Sequence, residues 1–278
     1  VPTVETAGMA EKKTALEKEW ESFLRREKKL LRKYGRRKEP LLERKLQKAV
    51  PDGLSEKLEA AFYRAFCMIL ENGTAAIEKT FPKDRLEAEY KTREYAGTVY
   101  PVRKNLAAGR KLAARNAAAG VAGACAEGAV LGLLGIGLPD IPIFLAALLR
   151  SLYTQALHFG VDYGKAEEQV FLLELLALSL YNGDDFMERD AEMNRKIYRM
   201  ACEDDSQTKR ETNLKQAALK ASGALSGELL YMKFLQGIPV AGLIGGLYDG
   251  IYMKKVTDYA AVKLERRYLL TKSEADHR

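Results

Sequence analysis

"EEQVFLLELLALSLY", Glu167 to Tyr181, is the stretch from which the architecture can be read. Its apolar residues point in every direction around a helix, and a helix apolar all round is one that other elements must enclose. Two acids open it, where the helix dipole favours negative charge. Asn182-Gly183 follows, a pair suited to a left-handed cap. The stretch is expected to be the central helix of a bundle.

Outward from it, helical spacing continues in both directions. No stretch alternates apolar and polar for long enough to suggest a strand. Leu54, Leu58, Phe62, Ala65, Phe66, Ile69, Gly73 and Ile77 step by three and four, and Pro82 closes that run. A second helix is expected from Asp84 to Tyr100, stopped by Pro101, followed by an Ala/Gly-rich segment from Val102 to Leu138. Asp184 to Cys202 reads as an amphipathic helix. Asp204-Asp205-Ser206 offers caps for the next one. The last helix begins near Pro239 and reaches Leu270. The expected fold is all-α: one multi-helix bundle with a glycine-rich buried helix pair and a basic amphipathic helix in front. The expected division is 1–10 as an expression remnant or unstructured lead, 11–50 as the basic segment, 51–272 as the helical domain and 273–278 as a tail.

Composition bounds the chemistry. The 278 residues are 47% hydrophobic and 30% charged. That is enough for a core without disulfides or metal. Cys67, Cys125 and Cys202 form no CxxC pair and are expected to be reduced and buried. His158 and His277 are the only histidines, which argues against His-based metal sites and serine-histidine chemistry. Residues 1–8, "VPTVETAG", lack the basic start and apolar run of a secretory signal.

The net charge of +7 is uneven. Glu11 to Lys48 holds fifteen Lys/Arg and seven Glu, an excess of eight that accounts for the whole surplus. Leu16, Trp20, Phe23, Leu24, Leu30, Leu31 and Tyr34 recur within it at helical spacing. Two readings fit. One is an ordinary packing helix with a solvated basic face. The other is a surface for acidic partners, with Trp20, Phe23, Arg25, Arg26, Lys28 and Lys29 meeting anionic lipid. A second basic stretch, Tyr95 to Ala126, has no acid. Its Arg103, Lys104, Arg110, Lys111 and Arg115 precede the most apolar part of the chain, as a cytoplasmic membrane flank does. No nucleic-acid module is visible, and no nucleic-acid partner is expected.

Two glycine ladders stand out. Gly120, Ala124, Gly128 and Gly132 form one, and Gly242, Gly246 and Gly250 the other. Glycine costs a helix about 1 kcal/mol against alanine, so close backbone approach is the expected return. The ladders either pack on each other or each clasp an apolar helix such as 167–181. Glu127 and Asp249 lie in these apolar stretches and need partners. With Asp140 and Arg150 they form a candidate ligand-binding cluster, and Asp140 alternatively serves a helix first turn. An insertion sum over Gly128 to Leu149 comes out near zero, because about −4 to −7 kcal/mol of apolar gain meets about 3 for Asp140 plus its prolines and glycines. A soluble or peripheral protein is favoured over an inserted hairpin.

At "GIGLPDIPIFLAALLRSLYTQALHFGVDYGKAEEQVFLLELLALSL" the chain resembles the EcsC family. The matching features are Leu138-Pro139-Asp140-Ile141-Pro142, Arg150, Phe159-Gly160-Val161-Asp162 and Glu167-Glu168, with "GIPVAGLIGGLYDG" similar to that family's C-terminal ladder. The likeness runs from about Leu54 to Leu270. Gln169 departs from it where an arginine is expected, and the basic front helix is longer than the family suggests. The resemblance implies a bacterial helical protein with no assigned chemistry, from a family named for an operon with ABC-transporter components. The P-loop, GxSxG and DxD patterns are absent, and no catalytic residue, metal or cofactor is expected. The function expected is a non-enzymatic, membrane-peripheral or adaptor protein. It would meet an anionic membrane surface or a membrane protein complex on the cytoplasmic side. The alternative is an enzyme or a lipid- or small-ligand-binding protein built on the polar cluster.

Overall fold

The structure, a computed structural model, describes residues 13–35, 52–123, 140–202, 213–236 and 242–277. Every regular element among them is a helix. The centre is α8 (Ala166–Leu180), as its sequence demands: Val170, Phe171, Leu172, Leu173, Leu175, Leu176, Ala177, Leu178 and Leu180 are all buried. On it pack α9 (Gly183–Cys202), α10 (Leu214–Gln236) and the 36-residue α11 (Gly242–His277), while α2 (Leu54–Glu71) packs on α10, α7 (Asp140–His158) packs on α11, and α2 and α7 pack on each other. The elements α3 (Ala75–Glu78), α4 (Lys83–Val99), α5 (Arg103–Leu106) and α6 (Ala108–Gly123) line one flank, with α3, α4 and α6 against α7. The front helix is α1 (Ala15–Tyr34).

Three boundaries differ from expectation. The run from Leu54 does not continue to Pro82, because Gly73 adopts a left-handed φ of 75° and breaks it between α2 and α3. The last helix continues past Leu270, so 273–277 are helical rather than a tail. The front helix, expected as a segment apart from the domain at 51–272, packs on α11 and α5 with its Phe23 fully buried. The expected αL residue after α8 is present, since Gly183 has φ 65°. The caps at 204–206, the start at Pro239 and the basic segment beyond Gly35 lie outside the described residues.

The glycine ladders also fall largely outside the description. Gly128 and Gly132 lie beyond the described residues. Gly120 is helical in α6, and Gly242, Gly246 and Gly250 are helical in α11, but their surroundings are not described. A different small-residue row is visible. Ala218, Ser222 and Ser226 recur every fourth residue on α10 with 0%, 0% and 2% exposure. α10 packs closely between α2 and α8. Small side chains on that face let the helices approach. Ser222 is satisfied by its own helix through the Ala218 carbonyl (2.7 Å).

The Phe159-Gly160-Val161-Asp162 step closes α7 with a Schellman turn. Val161 N donates to the Ala156 carbonyl (2.9 Å) and Gly160 N to that of Leu157 (3.2 Å). Gly160 has φ 73°, and the ring of Tyr90 from α4 lies directly over it. A Cβ there would sit 2.2 Å from a Tyr90 ring carbon. Gly160→Ala is therefore expected to lose roughly 2–4 kcal/mol, from left-handed strain plus overpacking. Urea unfolding checks this: an unchanged midpoint would contradict the close approach, and Tyr90→Leu should restore part of the loss.

Candidate functional site

The segment with the strongest charge excess is organised by α1. Its start is fixed by a capping box. Glu17 N donates to Thr14 Oγ1 (3.1 Å) and Thr14 N to the Glu17 carboxylate (2.7 Å). Glu19, Phe23 and Glu27 then recur every fourth residue, and all three are buried. That spacing puts them on one face of the helix. Two carboxylates flanking a buried phenylalanine can be tolerated only if cations meet them.

They do: Glu19 is met from α1, α5 and α6, and Glu27 from α11. At one end Glu19 accepts from Arg26 (3.0 Å) and from Arg103 of α5 (2.9 Å). Glu265 accepts from Arg26 (2.6 Å) and pairs with Arg110 of α6 (3.3 Å). At the other end Lys263, with 0% exposure, donates to Glu27 (2.9 Å) and Asn194 (2.8 Å) and pairs with Asp190 (2.7 Å). Arg266 also holds Glu27, through Nε (3.0 Å), and Tyr259 donates to Asp190 (2.8 Å). The Lys263 ammonium thus has two hydrogen-bond acceptors and a second carboxylate beside it.

Two further α11 cations lock the helix onto α8. Arg267 grips Glu168 with two bonds of 2.6 and 2.7 Å. Lys255 meets the Leu180 carbonyl (3.2 Å) and the Asn182 amide oxygen (3.0 Å). A cation at a helix C-terminus is favoured by the dipole.

The environment separates the acids. Burial raises the Glu27 carboxyl, but Arg266 and Lys263 outweigh it and hold the group below the usual range. Burial dominates at Glu265, which is raised despite Arg26 and Arg110, with Glu19 adding repulsion.

The predicted surface residues accordingly divide. Phe23 is buried and Trp20 half-buried, its ring 5.4 Å from Phe23 and beside Arg266, so neither is positioned as an exposed lipid anchor. Arg26, Arg103 and Arg110 are engaged with Glu19 and Glu265. Arg25, Lys28, Lys29, Lys104, Lys111 and Arg115 remain exposed. The sequence reading missed the inward acids. The signal was present in the spacing of Glu19, Phe23 and Glu27, but apart from Arg26 the cations that meet them come from distant parts of the chain, α5 and α6 for Glu19 and α11 for Glu27.

The candidate cluster of Glu127, Asp140, Arg150 and Asp249 is not assembled within the described part. Glu127 lies outside the described residues, as do the side chains of Asp140 and Asp249. Asp140 is the first residue of α7, and Arg150 is half-buried further along it. Among the described residues no group of three or more His, Cys, Asp or Glu could hold a metal ion. No described helix is long and apolar enough to cross a membrane. Cys67 and Cys202 are thiols and half-buried rather than fully enclosed, and Cys125 lies outside the described residues.

An open groove of about 840 Å³ runs between α8, α9 and α10. Arg189, Arg195, Lys196, Arg199 and Lys220 line it, against Glu167, Glu174 and Glu192. Lys196 is bound to Glu174, and Arg189 lies 4.3 Å from the Tyr181 ring centroid.

His158 is enclosed at the end of α7 with 1% exposure. Burial, helped by nearby Arg93, lowers its pKa from 6.5 to about 4. As pH falls, the unfolded chain takes up this proton first. The imidazole therefore contributes stability above pH 6.5 that is lost as pH falls toward 4. The loss is on the order of 2–3 kcal/mol. Glu265 works in the opposite sense, favouring the folded state more as its carboxyl protonates. His158→Gln should flatten the fall in melting temperature as the medium is acidified from neutrality; an unaltered slope would remove His158 as its cause.

Lys263→Ala should cost about 3–5 kcal/mol, because Glu27 and Asp190 would stay buried with one cation fewer. Adding Asp190→Asn should recover part of that loss in a double-mutant cycle measured by chemical denaturation. Strict additivity of the two would refute the pairing.

The model of the EcsC protein family matches residues 16–269, from the first turn of α1 to the last turns of α11. The match thus includes the front helix, which the resemblance read from sequence had left outside. No curated protein matches the chain, and no solved structure does.

Proposed function

We propose that this chain, which belongs to the EcsC protein family, is a non-enzymatic helical scaffold that lies on an anionic membrane surface through the outer face of α1. One observation carries the reading. Folding turns the acids Glu19 and Glu27 inward and leaves six exposed cations outside: Lys18, Arg25, Lys28, Lys29, Arg32 and Lys33. Of the remaining acids in the helix, Glu17 is used in the N-terminal cap and Glu21 is paired with Lys13. The outer face is therefore far more basic than the segment's composition suggests, and it is held rigid from behind. Each such cation contributes about 1 kcal/mol near an anionic leaflet, screened by salt. The cytoplasmic side of a bacterial membrane, beside a transporter complex of the ABC type, is the setting this chemistry suits.

A second reading, binding of a small anionic ligand, is favoured by the groove with five basic side chains between α8, α9 and α10. It competes less well, because Glu174 neutralises Lys196 and two further acids share the lining.

Cosedimentation with phosphatidylglycerol vesicles tests the first reading. The intact protein should bind at low salt and bind phosphatidylcholine poorly. Lys28→Glu/Lys29→Glu/Arg32→Glu, all at exposed positions, should weaken partitioning about a hundredfold or more. Equal binding by this variant would reject α1 as the surface.

A further inference from the structure

A second exposed feature adjoins α1 at the corner between α4 and α5. Eight large hydrophobic side chains are exposed among the described residues, and four of them fall in this one turn. Tyr95 is 73% exposed, Tyr100 68%, Val102 50% and Val99 47%. Tyr95 and Val99 are four apart, on one face of α4. Tyr100, Pro101 and Val102 form the bend itself.

The corner is built rather than loose. Asn105 donates from its side-chain amide to the Tyr100 carbonyl (2.9 Å) and the Ala96 carbonyl (3.4 Å). Val102 N donates to the Tyr100 carbonyl (2.7 Å), and Asn105 N to that of Val102 (2.9 Å). The turn thus satisfies backbone groups internally while presenting apolar side chains to solvent, the combination that allows a turn to leave water cheaply.

The chain from the corner onward carries charge of one sign, and Glu94 just before it is paired with Lys272. No acid occurs from Tyr95 to Ala126. Lys104, Lys111 and Arg115 are exposed just beyond the bend. Arg103, next to Val102, bonds Glu19 of α1 at 2.9 Å, so the corner sits directly beside the basic helix. Tyrosines with an apolar ring and a polar tip suit the boundary between headgroups and acyl chains. Apolar residues beside exposed cations suit an anionic bilayer.

We infer that the Tyr95–Val102 corner is the hydrophobic anchor of the protein, entering the headgroup region of an anionic bilayer while the outer face of α1 lies on its surface. This rests on the peripheral reading above and specifies its insertion contact. It assigns to Tyr95, Val99, Tyr100 and Val102 the part that the sequence had suggested for Trp20 and Phe23. Electrostatic attraction by α1 is screened by salt, whereas apolar insertion is not, and the two contributions separate on that basis.

The experiment uses the full chain, phosphatidylglycerol and phosphatidylcholine vesicles, and two salt concentrations. The intact protein should bind phosphatidylglycerol at low salt and keep a measurable fraction bound at high salt. Tyr100→Ser/Val102→Ser should melt like the parent, since both side chains are mostly exposed. It should bind roughly tenfold more weakly at low salt and be released completely at high salt. Tyr95→Ser repeats the test from α4 itself, independently of the bend. If both variants match the parent at both salt concentrations, the anchor assignment is overturned while the peripheral reading stands. If the parent does not bind phosphatidylglycerol at all, the peripheral reading fails and takes the anchor with it. Sedimentation without lipid covers the remaining outcome: if the parent self-associates, the variants do not, and vesicle binding is unchanged, the corner is a protein interface and the inference is overturned.

Discussion

Lys263 places an ammonium group at a point with no solvent exposure, and its surroundings fix the geometry of three helices. An ammonium group taken from water into a packed interior loses several kcal/mol of solvation unless acceptors surround it. Here Glu27 comes from α1, and Asp190 and Asn194 come from α9. α11 therefore cannot slide or rotate against either neighbour without stranding a charge. Arg267 on Glu168 and Lys255 at the end of α8 apply the same constraint on the side facing the central helix. Apolar contacts supply most of the burial, but they tolerate rearrangement more readily than paired charges do.

That constraint also decides what α1 shows to the outside. A helix with acids and bases in its sequence can present either to solvent, depending on its rotation about its axis. With Glu19, Phe23 and Glu27 turned to α11, the opposite face is left to lysine and arginine. Phe23 is buried, and Trp20 is half-buried against Phe23 and Arg266. The helix thus gains a basic outer surface by the same contacts that remove its best apolar anchors from it. The exposed apolar side chains lie instead at the α4–α5 corner, joined to α1 through Arg103 and Glu19.

The Schellman turn at Gly160 shows how a motif carried by family resemblance acquires a physical reason. Phe159-Gly160-Val161-Asp162 is a helix stop. Its glycine is required both by a positive φ and by a tyrosine ring pressed against the backbone. The Glu167-Glu168 pair divides similarly: Glu168 is a buried partner for Arg267, while Glu167 is half-buried and borders the open groove. The same chemistry at two adjacent positions serves different ends because the helix turns them in different directions.

The sequence by itself determined the all-α class, the central place of 167–180, the stops at Pro101 and Gly183 and the concentration of positive charge in front. Those follow from local periodicity, from fixed backbone preferences of proline and glycine, and from simple counting. It did not reveal the break at Gly73, where one left-handed residue interrupts an unbroken apolar rhythm. It did not reveal which small-residue row joins α10 to α2 and α8, because alanine and serine at four-residue spacing attract less notice than glycine. Above all, it left open which charges of α1 face water. Glu19 and Glu27 are ordinary helix acids until α11, remote in the chain, folds its Lys263, Glu265 and Arg266 against α1. Only the tertiary structure brings Lys263 and Arg266 within hydrogen-bonding distance of Glu27, and draws Arg26 between Glu19 and Glu265. Desolvation then leaves the carboxylates no other orientation.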